Sequence, residues 1–171
     1  RALRSHGVSV QVLRTCGRGD ARRAASEFSG ACILSFGGDG TFNEVLNGAD
    51  LERCVLGVIP AGAANVLAKE LGTPLGPLRA VEALAGGRVE RFDMGECNGR
   101  RFICMVGAGI DAHAVERVHR ARRGGVTRLN YVPTVVGAAL RPVEWGIEVE
   151  VDGWVLLRGA DMVCVSNVHS Y

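Results

Sequence analysis

Short, nearly unbroken apolar runs separated by glycine dominate the first half of the chain. Residues 31–36 and 54–59 are apolar apart from Ser35 and Gly57. Runs of that length bounded by turn signals read as buried strands. An earlier run, 8–13, reads as a strand as well. Between and after these runs the spacing becomes helical: 20–28 with an exposed arginine face, 41–46 stopping at Asn47-Gly48, 65–71 stopping at Gly72, and 77–84 ending at Gly86-Gly87. Asn and Gly just past the last periodic residue are helix-stopping signals. Alternating β and α elements with near-continuous apolar strands predict a parallel sheet covered by helices.

Past residue 88 the pattern changes. The runs 89–97 and 101–106 flank Asn98-Gly99, and 144–151 and 154–165 flank Asp152-Gly153. Both dipeptides suit the tight turn of an antiparallel hairpin. Between the hairpins, 111–140 predicts mostly helix, broken near Gly124-Gly125 and Pro133. The expected fold class is α/β, with an N-terminal parallel-sheet domain over 1–92 and a β-rich, antiparallel second domain over 93–171.

Composition narrows the function classes. The chain has 171 residues, 47% hydrophobic and 22% charged, which suits an ordinary packed core. A formal net charge of +2 gives no electrostatic footprint for a nucleic-acid partner. Six cysteines form no CxxC pair and no zinc-spaced cluster with histidine. Cys32 and Cys104 fall inside apolar runs, as reduced small hydrophobes of a cytoplasmic protein would. The longest uncharged stretch, 54–68, falls short of the ~20 residues that span a bilayer, and Pro60, Gly62 and Asn65 interrupt it. Any membrane contact is therefore expected to be peripheral, at the inner face. Arg117, His119, Arg120, Arg122 and Arg123 read first as a solvated helix end and second as a contact for anionic lipid headgroups. His6, His113 and His169 stand apart and are given no role.

The candidate chemistry lies in Gly37-Gly38-Asp39-Gly40-Thr41, between a buried strand and a helix. Glycines let the backbone turn sharply and let a ligand come close. A helix N-terminus offers free N–H groups to phosphate. Thr41 and Glu44 have capping-box spacing. Asp39 would repel a bare phosphate, and makes sense if it binds Mg²⁺ or takes a proton from an attacking hydroxyl. A tight turn with a capping Asp would read the same way. Residues 59–65, Ile-Pro-Ala-Gly-Ala-Ala-Asn, repeat the design after the next strand, with Asn65 as N-cap. Two such loops at the carboxyl ends of neighbouring strands would line one crevice.

The block 36–48, Phe-Gly-Gly-Asp-Gly-Thr-Phe-Asn-Glu-Val-Leu-Asn-Gly, resembles the signature of diacylglycerol-kinase-type lipid kinases, shared with sphingosine and ceramide kinases. Residues 60–72 are similar to the family's second nucleotide loop and 106–112 to its later G-x-G-x-D segment. The resemblance implies a two-domain ATP-dependent kinase of a lipid hydroxyl, with ATP and Mg²⁺ and a lipid substrate met at a membrane surface. It implies nucleotide contacts at Thr15, Gly37, Gly38, Asp39, Gly40, Thr41, Asn43, Glu44, Gly62, Ala63 and Asn65, with Asp39 as the catalytic and metal-binding acid. It also implies that the family's first strand lies before Arg1 and its closing segment after Tyr171, leaving the second domain incomplete. Ala63 departs from the family's Gly-Thr and removes one hydroxyl contact.

Other phosphate-site readings fit less well. Residues 107–112 imitate a dinucleotide fingerprint, but no acid follows at the expected distance, so a turn into a helix is preferred. No GxxxxGK[ST] is present, which excludes a P-loop kinase. An NAD kinase shares GGDGT but not the NEVLNG that follows it here. An inactive nucleotide-binding homologue is the non-enzyme alternative. Acceptor lipid and oligomeric state are not readable from the sequence.

Overall fold

The computed structural model describes residues 7–110 and 146–169, together with Leu3 and Ala112. It divides into two compact units, one of residues 1–104 with 167–171 and one of residues 105–166. The expected hairpin around Asn98-Gly99 thus belongs to the first unit, past the expected boundary at 92/93.

In the first unit, helix α1 (Asp20–Ser26) precedes strand β1 (Cys32–Gly37), helix α2 (Asp39–Gly48), strand β2 (Val55–Pro60), helix α3 (Val66–Glu70) and helix α4 (Pro77–Ala85). β1 and β2 pair in parallel, as the apolar runs predict. Alternate strand residues face opposite sides. Val58 joins Phe42, Leu46, Leu67 and Ala68 in one buried cluster. Its neighbour Gly57 faces the other way, where an added Cβ would meet Leu34 and Leu84 of α4. Helices therefore cover both faces of the pair. A second cluster, Ala21, Ala25, Val45 and Ala49, packs α1 on α2. Small residues let these helices come close, and at Gly48 an added Cβ would lie 2.1 Å from the Arg22 carbonyl oxygen.

Strands β3 (Gly95–Cys97) and β4 (Arg100–Phe102) close the first unit as an antiparallel hairpin, shorter than its flanking runs suggested. Asn98 and Gly99 both have positive φ, 50° and 72°, as its two-residue turn requires. Asn47 binds this hairpin to α2: its Oδ1 accepts from Arg101 N–H and its Nδ2 donates to Arg101 O, both at 2.9 Å.

The expected strand at 8–13 does not form. Val8, Val12 and Leu13 are exposed and no described strand pairs with them. A strand is defined by its ladder, and this run has no strand ladder among the described residues.

The second unit contains β5 (Met105–Gly109), β6 (Ile147–Val151), β7 (Trp154–Ala160) and β8 (Met162–Ser166). β6 pairs with β7 across Asp152-Gly153, as expected. The run 154–165 divides at Asp161, and β8 pairs instead with β5, all antiparallel. Gly107 and Gly109 therefore lie in a strand rather than in a turn. Apart from Ala112, which is helical, the helical expectation over 111–140 lies outside the described residues, as do the arginine cluster at 117–123, His6 and His113. The α/β class, parallel first and antiparallel later, is what the structure shows.

Candidate functional site

The site begins where β1 and β2 end. Their register runs from Cys32↔Val55 to Gly37↔Pro60, so both strands release their loops at the same level. Ala61 N–H then donates to Gly37 O at 2.9 Å and carries the ladder into the loops. Beyond that bond the backbones touch. A Cβ on Gly62 would lie 2.5 Å from Gly38 Cα, and one on Gly38 would lie 3.1 Å from Gly62 Cα. Neither residue can carry a side chain unless the loops part. The glycines read from sequence as room for a ligand are thus also what lets the loops meet.

Asp39 joins the loops a second time. Its Oδ1 accepts from the Leu67 N–H at 3.1 Å. Leu67 is the second residue of α3, where backbone donors lack an intrahelical acceptor. The expected cap, Asn65, does something else. It sits at φ 49°, ψ 48°, accepts from Gly62 N–H and donates to Gly62 O, both at 2.8 Å. Asn65 closes its own turn, and the carboxylate of the neighbouring loop satisfies the helix. The second Asp39 oxygen has no hydrogen-bond donor among the described residues, and the residue is half-buried. One oxygen is therefore structural, while the other can accept a proton or ligate a cation.

The expected capping box is also absent. α2 starts at Asp39 behind an extended Gly38, with no side-chain cap bond, so Thr41 is already inside the helix. The Thr41 hydroxyl lies over Gly37, where an added Cβ would meet Oγ1 at 2.8 Å. Gly40 is exposed, and half-buried Asn43 receives Asn47 Nδ2 on its carbonyl at 2.8 Å. Glu44 points to α1, its Oε1 accepting from Gly19 N–H at 2.9 Å. Ala63 is exposed on the second loop.

Thr15 lies in an exposed segment, without a hydrogen bond to either glycine loop. The turn after it closes on Asp20, whose Oδ2 accepts from Cys16 N–H at 2.8 Å and Gly17 N–H at 2.9 Å. Those two bonds, and the Arg23 guanidinium behind them, hold the Asp20 carboxyl below its usual range.

Sequence reading missed a group of residues around Glu70 and Cys104. Glu70 accepts from His169 N–H at 3.2 Å, and its other oxygen lies 3.2 Å from His169 Nδ1. Asn167 N–H donates to Cys104 O at 2.8 Å, while Asn167 Nδ2 donates to Asp93 O at 2.7 Å and Ile103 O at 3.0 Å. Burial, then the nearby Asp39 and Glu70 carboxylates, push the Cys104 thiol up to about 11. Pairs separated by 99 positions, such as Glu70 and His169, leave no local pattern to read. Among the described residues no three metal-ligating side chains cluster, and no helix is long and apolar enough to cross a membrane.

The diacylglycerol kinase catalytic domain family matches residues 1–97. The chain is 37% identical over 155 residues to a diacylglycerol kinase of Bacillus subtilis, covering 86% of this chain and 50% of that protein. It is 33% identical over 112 residues to a diacylglycerol kinase of Staphylococcus saprophyticus, covering 63% of this chain and 37% of that one. A crystal structure of a diacylglycerol kinase from Bacillus anthracis superposes with a TM-score of 0.69 at 27% identity, over 98% of this chain and 56% of the other. The chain spans about half the length of the curated relatives it matches.

Proposed function

The chain belongs to the diacylglycerol kinase catalytic-domain family, and on that ground we propose that the protein transfers the γ-phosphate of ATP to a lipid hydroxyl such as that of diacylglycerol. The observation that carries the reading is the double contact between the loops: glycine against glycine at 38 and 62, and Asp39 reaching Leu67 N–H. Phosphoryl transfer needs positioning and charge stabilisation more than covalent chemistry from the protein. Adjoining backbone turns supply N–H donors for a phosphate tail. At Ala63, where a threonine hydroxyl is lacking, backbone N–H groups take over that contact.

Asp39 brings the one acid that joins the two loops. Mg²⁺ binds through one or two protein carboxylates together with substrate phosphates, so the second Asp39 oxygen suffices for the protein's share. A cation held there would neutralise charge on the transferring group. Alternatively, with no cation on it, that oxygen would take the proton of the acceptor hydroxyl. The acceptor is met at a membrane surface by peripheral contact, from the cytoplasmic side.

The test is an acceptor panel with labelled ATP and the full-length protein, comparing diacylglycerol, phosphatidylglycerol, a sphingoid base and NAD, beside Asp39→Asn. Label should appear in a lipid and not in NAD. Asparagine keeps an oxygen for Leu67 N–H but loses the charge, so the fold should survive while transfer falls by on the order of 10³-fold. ATP binding without transfer to any acceptor, or full turnover by the variant, would refute the reading.

A further inference from the structure

We infer that Glu44 is a positioning residue, which holds the turn after Thr15 against α2 and does not itself contact the nucleotide; this rests on the kinase reading above. The turn at 16–19 looks like a phosphate cradle in sequence, with two glycines ahead of a helix. Three of its four backbone donors are already committed. Cys16 and Gly17 N–H go to Asp20, and Gly19 N–H goes to Glu44 at 2.9 Å. Gly19 stands at φ 87°, a backbone state that favours glycine, and this presents its N–H to α2. Two carboxylates therefore occupy the places that phosphate oxygens would take.

The tie lies one helical turn from the closest approach of the two helices. Glu44 and Gly48 stand four residues apart on α2, and so lie on the same side. Gly48 meets the carbonyl of Arg22 on α1, and Glu44 meets Gly19 at its cap. Gly48 fixes how close α1 lies, and Glu44 fixes where α1 begins. Since α2 also starts at Asp39, one helix sets both the first glycine loop and the origin of the Thr15 segment. If Thr15 contacts the nucleotide, as the family resemblance implies, Glu44 acts on it through that turn.

The experiment uses the full-length protein with Glu44→Ala, Glu44→Gln, Thr15→Ala and the Thr15→Ala/Glu44→Ala double variant. Gly19 amide exchange by NMR reads the tie, and calorimetric titration with ATP reads its consequence. Glu44→Ala should speed Gly19 exchange and weaken ATP binding by about 5–10-fold, the worth of one ordinary hydrogen bond. Glutamine retains the accepting oxygen and should restore both to within about 2-fold of wild type, whereas a direct charge contact would not be restored. The double variant should bind ATP no more weakly than Thr15→Ala alone. Unchanged Gly19 exchange in Glu44→Ala, additive losses in the double variant, or Glu44→Gln binding ATP as poorly as Glu44→Ala would each overturn the inference. A wild-type protein with a protected Gly19 amide and no affinity for ATP would overturn the kinase reading, and the positioning role with it.

Discussion

Cys104 sits between two acids that matter to the fold, and its thiol reports on both. Burial and the carboxylates of Asp39 and Glu70 raise it to about 11, so near neutral pH it is a protonated thiol. Thiolate is the reactive form, so iodoacetamide at pH 8 should label Cys104 far more slowly than exposed Cys16, as peptide mass spectrometry would show. The folded protein disfavours the thiolate, so this contribution to stability is complete below the thiol's ordinary value of 9.0 and is lost as pH rises through about 11. Asp39 shows how far a single residue could be read in advance. Its place beside glycines, ahead of a helix, marked it as an acid with a task. Its bond to Leu67 could not be read, because the partner is a backbone N–H on another element, 28 positions away. Asn65 misled for the opposite reason: its side chain satisfied the nearer Gly62 backbone before the helix end.

Among the elements, the pairing of α1 with α2 is sensitive to a single methyl group. A Cβ at Gly48 would lie 2.1 Å from a backbone oxygen that no rotamer change can move. Gly48→Ala should therefore cost about 1–3 kcal/mol through overpacking, seen as a lower midpoint in urea or thermal unfolding. The parallel β1–β2 unit and its helices were legible because buried strands need long apolar runs and helices need periodic ones. Helix α2 nonetheless starts at Asp39, two residues before the expected 41, since extended Gly38 lets the helix begin directly after the strand. The run 8–13 has the composition of a strand, but composition does not supply a ladder. The run 154–165 hid a change of partner at Asp161, which alternation within one segment does not encode.

For the whole molecule, the expected order of a parallel unit followed by antiparallel strands held. The expected cut at 92/93 followed a change of pattern, whereas the structural units are set by contacts that return from the end of the chain. Asn167 is one of the residues through which that return is made. Asn167→Ala removes donors from the Asp93 and Ile103 carbonyls and should cost about 1–2 kcal/mol in denaturant unfolding. The same variant should let iodoacetamide reach Cys104 faster than in wild type, because without the side-chain bonds the Asn167 backbone, whose N–H lies on the Cys104 carbonyl, is held less firmly.

A unit stitched from residues 1–104 and 167–171 also has a history in time. Its larger part is synthesised before residues 105–166, and at typical synthesis rates the gap is on the order of several seconds. Throughout that interval the carbonyls of Asp93, Ile103 and Cys104 await a donor still being translated. A message that stalled or ended early would leave those carbonyls without the Asn167 donors.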